Sequence, residues 1–206
     1  MASARLIFWD FDGVIKDSVN VKTEAFAEVF LHYGKSLADR VIKHHESHGG
    51  ISRYEKIPLY LNWAGVDATP QRVKEFCDTF SDAIVQAVID SPWVPGVLDY
   101  IQVHSRKQYF VLVTATPQAE IEHILSELNI SQHFKEVYGA PAKKSQAIGE
   151  VLLRFQCDLS KSLMIGDSPS DLHAANINSV PFILRRTLLN SSLQVDYRGL
   201  MINNFH

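Results

Sequence analysis

Asp10 and Asp12 stand one residue apart, after the apolar run "RLIFW" and before Gly13. Two carboxylates that close repel each other, so something must offset the charge. In extended chain, residues i and i+2 point to the same side. Asp10 and Asp12 would then border one small volume, with Phe11 facing away and Gly13 letting the backbone turn sharply. Such a pair suits a hard cation with oxygen ligands, and Mg²⁺ is the usual choice where a phosphate must also be held. An isolated Asp-x-Asp is equally at home in an acidic turn or a helix cap.

Three later stretches each bring a group useful to phosphoryl transfer. In "FVLVTATP", Thr116 and Pro117 read as a helix N-cap and first helical residue, which leaves Thr114 as the unexplained hydroxyl at a strand tip. In "YGAPAKKSQAIGEVLL", Ser145 reads as a cap. Lys144, or else Lys143, then supplies a cation at the loop rim, where it would neutralise charge on phosphate oxygens and carboxylates. In "LMIGDSPSDLHAA", Ser168 is an N-cap, Pro169 the first helical residue and Asp171 its capping-box partner. Capping does not account for Asp167, which is read as a further metal ligand; Asp171 combines capping with outer-shell support.

The elements that must position these groups fall into two textures. Strand-like runs occupy the start and the second half, while the stretch from about Ser18 to Asp90 shows only helical periodicity. There, Val21, Ala25, Phe26, Val29, Phe30 and Tyr33 recur at helical spacing, and Gly34 reads as a stop. "GISRYEKIPLYLNWAG" reads as a helix broken or begun near Pro58, and Thr69 with Pro70 starts another. After "SPWVPG" come helix "VLDYIQVHS", strand "YFVLVTA", a helix from Pro117 to about Leu128, a short strand at "FKEVYG", a helix from Ser145 to Phe155, strand "SLMIG", a helix after Pro169 and strand "VPFILR". Alternating strands and helices imply right-handed crossovers and an α/β fold with a mostly parallel sheet, covered on both faces. The predicted division is a core of residues 1–16 and 91–206 interrupted by a helical insert at 17–90. "RLIFW" is then a buried central strand with Asp10 at its C-terminal end, the edge where open α/β sheets bind ligands.

Composition narrows the partners. The 206 residues carry 20 Lys and Arg against 23 Asp and Glu, a net charge of −3 with no basic block, so neither nucleic acid nor membrane lipid is indicated and a small molecule is. No signal-like or membrane-spanning apolar run occurs, which predicts a cytoplasmic protein. Cys77 and Cys157 are far apart and read as buried small hydrophobes. His44 and His48 lack a third ligand of the right kind and read as surface helix residues, and Trp9, Trp63 and Trp93 as packing residues.

Together, "DFDGV", Thr114, Lys144 and "GDSPSD" resemble, in order, the four motifs of the haloacid dehalogenase-like superfamily, across almost the whole chain. The insert after the first motif resembles the helical cap of the subgroup that contains phosphoglycolate phosphatase and β-phosphoglucomutase relatives. The resemblance implies a Rossmann-like core with strand order 5-4-1-2-3 and a Mg²⁺-dependent hydrolase. Asp10 would be the nucleophile, ionised at neutral pH, and Asp12 an acid and base whose carboxyl needs a raised pKa. The ion would be held by Asp10, the backbone carbonyl of Asp12, and Asp167. Asp12 argues against carbon–halogen cleavage, which needs no proton, and against Schiff-base phosphonate cleavage, so phosphatase and phosphomutase remain. A phosphoacceptor receiver domain shares several residue types but lacks the second carboxylate at i+2 and the large insert. In the insert, Gly49 and Gly50 form a loop that could close over the core, Arg53 could pair with a substrate carboxylate or second phosphate, and "GISR", Gly50 to Arg53 with Ser52, resembles a segment of β-phosphoglucomutase relatives. Lys22 stands where the family often has His. The expected substrate is a small phosphorylated metabolite.

Overall fold

In the computed structural model, which describes residues 1, 3–156 and 158–206, β1 (Leu6–Trp9) lies at the centre of a sheet, with all four residues fully buried. It pairs in parallel with β2 (Tyr109–Pro117) on one side and with β4 (Ser162–Gly166) on the other. β3 (Glu136–Ala140) and β5 (Phe182–Arg185) flank these, and β6 (Leu200–Ile202) adds an edge. The order β3-β2-β1-β4-β5-β6 is the predicted five-strand arrangement extended by β6, which the sequence reading did not include. The chain goes from β1 to β2 and β3 on one flank and then returns to β4 and β5 on the other. Such a reversal opens a crevice at the C-terminal ends of the strands around β1.

Strand alternation supplies both faces of the core. Ile7 and Trp9 point to one face with Phe110, Leu112 and Ile165, whereas Leu6 and Phe8 point to the other with Val111, Val113 and Met164. The first face is covered by α5 (Val97–His104) and α6 (Gln118–Glu127), the second by α7 (Lys144–Phe155) and α8 (Pro169–Ile177). A short α9 (Ser191–Asp196) precedes β6. Trp9 is wholly buried as predicted, as is Cys77; Cys157 lies outside the described residues. No helix of the described residues is long and apolar enough to cross a membrane.

Between β1 and β2 the chain forms α1 (Val19–Leu31), α2 (Lys35–Ser47), α3 (Arg53–Trp63) and α4 (Pro70–Asp90). An aromatic cluster holds these helices together: Phe26 of α1 stacks on Phe80 of α4 with centroids 4.0 Å apart, and Tyr60 of α3 meets Phe26 and Phe30 edge-on at 5.7 and 5.5 Å. The chain segments entering and leaving the helices run side by side, Asp17 N–H donating to Pro92 O at 2.8 Å and Val94 N–H to Ile15 O at 3.0 Å.

Several local readings change. Pro58 lies inside α3 and neither starts nor breaks it, and Gly34, at φ +109°, is the N-cap of α2 as well as the end of the preceding turn. Helix α7 begins at Lys144 with Lys143 as its N-cap residue, so Ser145 is internal. Thr116 is not a cap: β2 continues through it to Pro117, because its side chain is used elsewhere. Thr69 and Ser168 cap α4 and α8 as predicted, and Asp171 completes the capping box.

Truncation of Phe26, which is 2% exposed at the centre of the aromatic cluster, tests this packing. Phe26→Ala is expected to destabilise the protein by about 3–5 kcal/mol, read as a lowered urea midpoint.

Candidate active site

The crevice above β1, β2 and β4 is where the predicted residues meet. In register, Trp9 pairs with Leu112 and with Ile165, so Asp10 just past β1 and Asp167 just past β4 flank Thr114, which lies inside β2 and not at the strand tip expected for it, because β2 runs on to Pro117. Together with Asp12, Lys22, Lys144, Thr116 and Arg53, they line a cavity of about 70 Å³ between the sheet and the helical insert.

Asp10 is 4% exposed, and its Oδ1 lies 2.9 Å from Lys144 Nζ. Lys144 Nζ also donates to Asp171 Oδ1 at 2.5 Å; Lys144 is buried beside Asp10, whereas Lys143 is exposed. Asp171 is fully buried; its Oδ2 accepts from the Ser168 hydroxyl at 2.6 Å and from the Ser168 N–H at 3.1 Å. Capping α8 and anchoring Lys144 are therefore one arrangement. Asp167 is 7% exposed, and its carboxylate has no hydrogen-bond or cationic partner among the described residues. Its backbone carbonyl accepts from Asn190 Nδ2 at 2.6 Å. Gly13 sits against Asp167 at φ +74°, and a Cβ there would collide with the Asp167 carboxylate.

Carboxylate oxygens of Asp10, Asp167 and Asp171 all lie within 4.8 Å of one another. Burial, the charge of Asp171 and that of Asp12 push the Asp10 carboxyl up to about 8 despite Lys144, so its expected ionisation at neutral pH is not met by protein groups alone. Burial, Asp10 and Asp171 likewise raise Asp167 well above the ordinary carboxylate range. Burial works against the Lys144 ammonium, yet Asp10 and Asp171 hold it above its usual value. One lysine among three carboxylates leaves a deficit of positive charge. An unpartnered buried carboxylate beside two others is the donor set that fits a divalent cation.

Asp12 turns to other partners. Its Oδ2 accepts from Lys22 Nζ at 2.5 Å and from Thr116 Oγ1 at 3.2 Å, and its Oδ1 accepts from Ser18 Oγ at 2.6 Å. Burial alone would raise the Asp12 carboxyl, but the Lys22 charge and hydrogen bonds from Lys22, Ser18 and Thr116 hold it below its ordinary value. The expected raised pKa is thus corrected: the chain turns after Trp9 and gives each aspartate its own cation, where an extended pair would have shared one. Lys22 Nζ also donates to Thr116 Oγ1 at 2.8 Å. Thr114 is 1% exposed, and its Oγ1 accepts from the Thr116 N–H at 3.2 Å, leaving its hydroxyl hydrogen free to donate into the cavity.

Of the insert residues, Arg53 is engaged within the protein. Its guanidinium grips the Glu120 carboxylate at 2.6 and 2.8 Å and also donates to Ser81, which in turn donates to Glu120. This bridge ties α3 and α4 to α6. Ser52 caps α3 by accepting from Tyr54 N–H at 3.3 Å and does not line the cavity. Gly50, at φ +74°, lies where a Cβ would strike the hydroxyls of Ser168 and Ser170, so this loop rests directly on the start of α8. His44 bonds Tyr60 Oη at 3.0 Å and stacks on His48; among the described residues neither belongs to a metal-ligand cluster.

Sequence reasoning missed Ser18, Thr116, Lys56, His45 and Glu120. Thr116 carried a signal, since it lies two residues beyond Thr114 in the same strand. Ser18 immediately precedes α1, and Lys56, His45 and Glu120 occupy ordinary helix positions that only packing brings here.

The sequence of residues 7–184 matches the haloacid dehalogenase-like hydrolase family. A phosphorylated carbohydrates phosphatase of Thermotoga maritima is 23% identical over 175 residues, 82% of this chain and 79% of that one. A phosphoglycolate phosphatase of Pseudomonas putida is 26% identical over 187 residues, 85% of this chain and 67% of that one. The crystal structure of a predicted phosphoglycolate phosphatase from Haemophilus somnus superimposes with a TM-score of 0.76 at 17% identity, covering 100% of this chain and 96% of that one.

Two measurements follow from the charge balance. Because burial raises Asp10 only in the folded state, folding favours its protonated form; with chelator present, that stabilisation is lost as pH rises from about 4 toward about 8. Scanning calorimetry should show Tm falling across that window, with Mg²⁺ flattening the fall. Glu120→Ala, which strands the buried Arg53 charge, should cost about 3–5 kcal/mol in denaturant unfolding. With the family match spanning most of its length and the four motif groups gathered around one cavity, this chain belongs to the haloacid dehalogenase-like hydrolases.

Proposed function

We propose that this hydrolase is a Mg²⁺-dependent phosphatase that acts on a small phosphorylated metabolite through an aspartyl-phosphate on Asp10, with residues 17–90 as the cap over a core of residues 1–16 and 91–206. The observation that carries this reading is the Asp10 carboxylate at the base of the cavity, 2.9 Å from the Lys144 cation and flanked by the unpartnered Asp167. A phosphate dianion placed there meets one positive side chain, the Thr114 hydroxyl, and the space among the carboxylates.

Asp10 attacks phosphorus, and the bond from phosphorus to the ester oxygen breaks as the new acyl-phosphate bond forms. The departing oxygen needs a proton, and Asp12 relays one from Lys22, whose Nζ donates to the Asp12 carboxylate at 2.5 Å. A water molecule then attacks the acyl phosphate and returns a proton to Asp12, releasing inorganic phosphate and restoring Asp10. Lys144 pairs with phosphoryl oxygens, Thr114 donates to them, and Asp171 holds Lys144 in place. Asp10, Asp167 and the backbone carbonyl of Asp12 would hold Mg²⁺, whose charge would keep Asp10 ionised and screen it from the phosphate. Lys22 thus takes the place where the family often has His, as the cation that controls Asp12.

A screen of phosphorylated metabolites with and without chelator tests the reading. Wild type is expected to release phosphate only with Mg²⁺, and Asp10→Asn to lose at least about 10³-fold in kcat while still folding. Equal release by both proteins removes Asp10 from the mechanism.

A further inference from the structure

Four primary cations line the cavity, and three are matched by carboxylates. Lys22 pairs with Asp12, Arg53 with Glu120, and Lys144 with Asp10 and Asp171. Lys56, in the middle of α3, is the fourth. It is 1% exposed, and among the described residues its Nζ has one polar side-chain neighbour, His45 Nδ1 at 3.1 Å, and no carboxylate within ion-pair distance. Glu55, beside it in sequence, is exposed. Phe26, whose centroid is 5.9 Å away, gives its face to the ammonium, and Phe80 closes the wall nearby.

A buried ammonium without a counter-ion is costly, and chains keep one where a ligand completes it. We propose that Lys56 receives a second anionic group on the substrate, so that the site selects phosphate monoesters carrying a carboxylate or second phosphate on a short stem. The proposal rests on the phosphatase reading above and moves the anion-binding role from Arg53, which Glu120 already neutralises, to Lys56. Burial and the nearby Lys22 bring the Lys56 amine down to about 7, and burial with Lys56 holds the His45 ring well below its usual value. His45 is therefore neutral, and its Nδ1 accepts from Lys56. An incoming oxyanion restores the full charge on the lysine. The small cavity, about 70 Å³, favours a short stem between the two anionic groups.

Binding separates this proposal from turnover. The Asp10→Asn protein is titrated by calorimetry, with Mg²⁺ present, against ethyl phosphate, phosphoglycolate and ethane-1,2-diol bisphosphate. At least one of the two esters carrying a second anionic group should bind about tenfold or more tightly than ethyl phosphate, and whichever wins names the anion, carboxylate or phosphate. In Asp10→Asn with Lys56→Met, that margin should vanish. Equal binding of all three esters, or a margin that survives Lys56→Met, overturns the proposal. Should Lys56→Met fail to fold, Lys56→Gln in the Asp10-intact enzyme gives the same answer. Its ratio of kcat/KM for whichever two-anion ester the Asp10→Asn protein binds more tightly, over ethyl phosphate, should fall about tenfold or more against wild type, and an unchanged ratio overturns the proposal. If wild type hydrolyses no ester yet the binding margin behaves as expected, the phosphatase reading fails and the assignment of Lys56 as the anion site stands.

Discussion

The site is organised by one electrostatic constraint: three carboxylates whose oxygens lie within 4.8 Å must coexist in a buried crevice with a single lysine among them. Like charges at such distances in a medium of reduced polarity cannot all remain ionised without compensation. Asp171 is settled by hydrogen bonds from Ser168 and by Lys144, which leaves Asp10 and Asp167 to carry the imbalance. That imbalance makes the crevice receptive to cations and sets the ionisation of the residue best placed to react. Asp12 escapes it because Lys22, Ser18 and Thr116 form a separate, satisfied network.

The fold makes this crowding possible. Parallel strands aligned in register bring Asp10, Thr114 and Asp167 together from three neighbouring strands, and the hydrophobic faces of the sheet hold the strands rigid beneath them. The insert closes the crevice from above. Its loop at Gly50 rests on Ser168 and Ser170, and the Arg53–Glu120 bridge fastens it to α6. A buried bidentate pair of this kind contributes definition more than net stability, since the desolvation of both charges offsets much of their attraction. Here it orients the helix on which Lys56 sits.

Much of the architecture was legible in the sequence because the signals are local. Short continuous apolar runs in "RLIFW" and "YFVLV" mark strands buried on both faces, and Ser168, Pro169 and Asp171 mark a helix start through bonds within one turn. Local signals failed where long-range contacts outweighed them. Thr116 followed by Pro117 has the chemistry of a cap, but Lys22 and Asp12, distant in sequence, hold its hydroxyl in the strand. Pro58 remains inside a helix because Ile57, Tyr60 and Leu61 around it are wholly buried. The edge strand β6 is three residues long, too short to carry a pattern.

The sequence by itself determined which chemical groups exist and in what order they occur along the chain: a carboxylate after the first strand, a second carboxylate beside it, a threonine, a lysine and a further aspartate. Tertiary structure alone decided how their charges are shared. Asp12 was assigned to Lys22, Arg53 to Glu120, and Lys56 was left without a counter-ion. Pairing of this kind depends on distances between residues far apart in the chain and on the loss of water around them, and neither quantity is written in residue order.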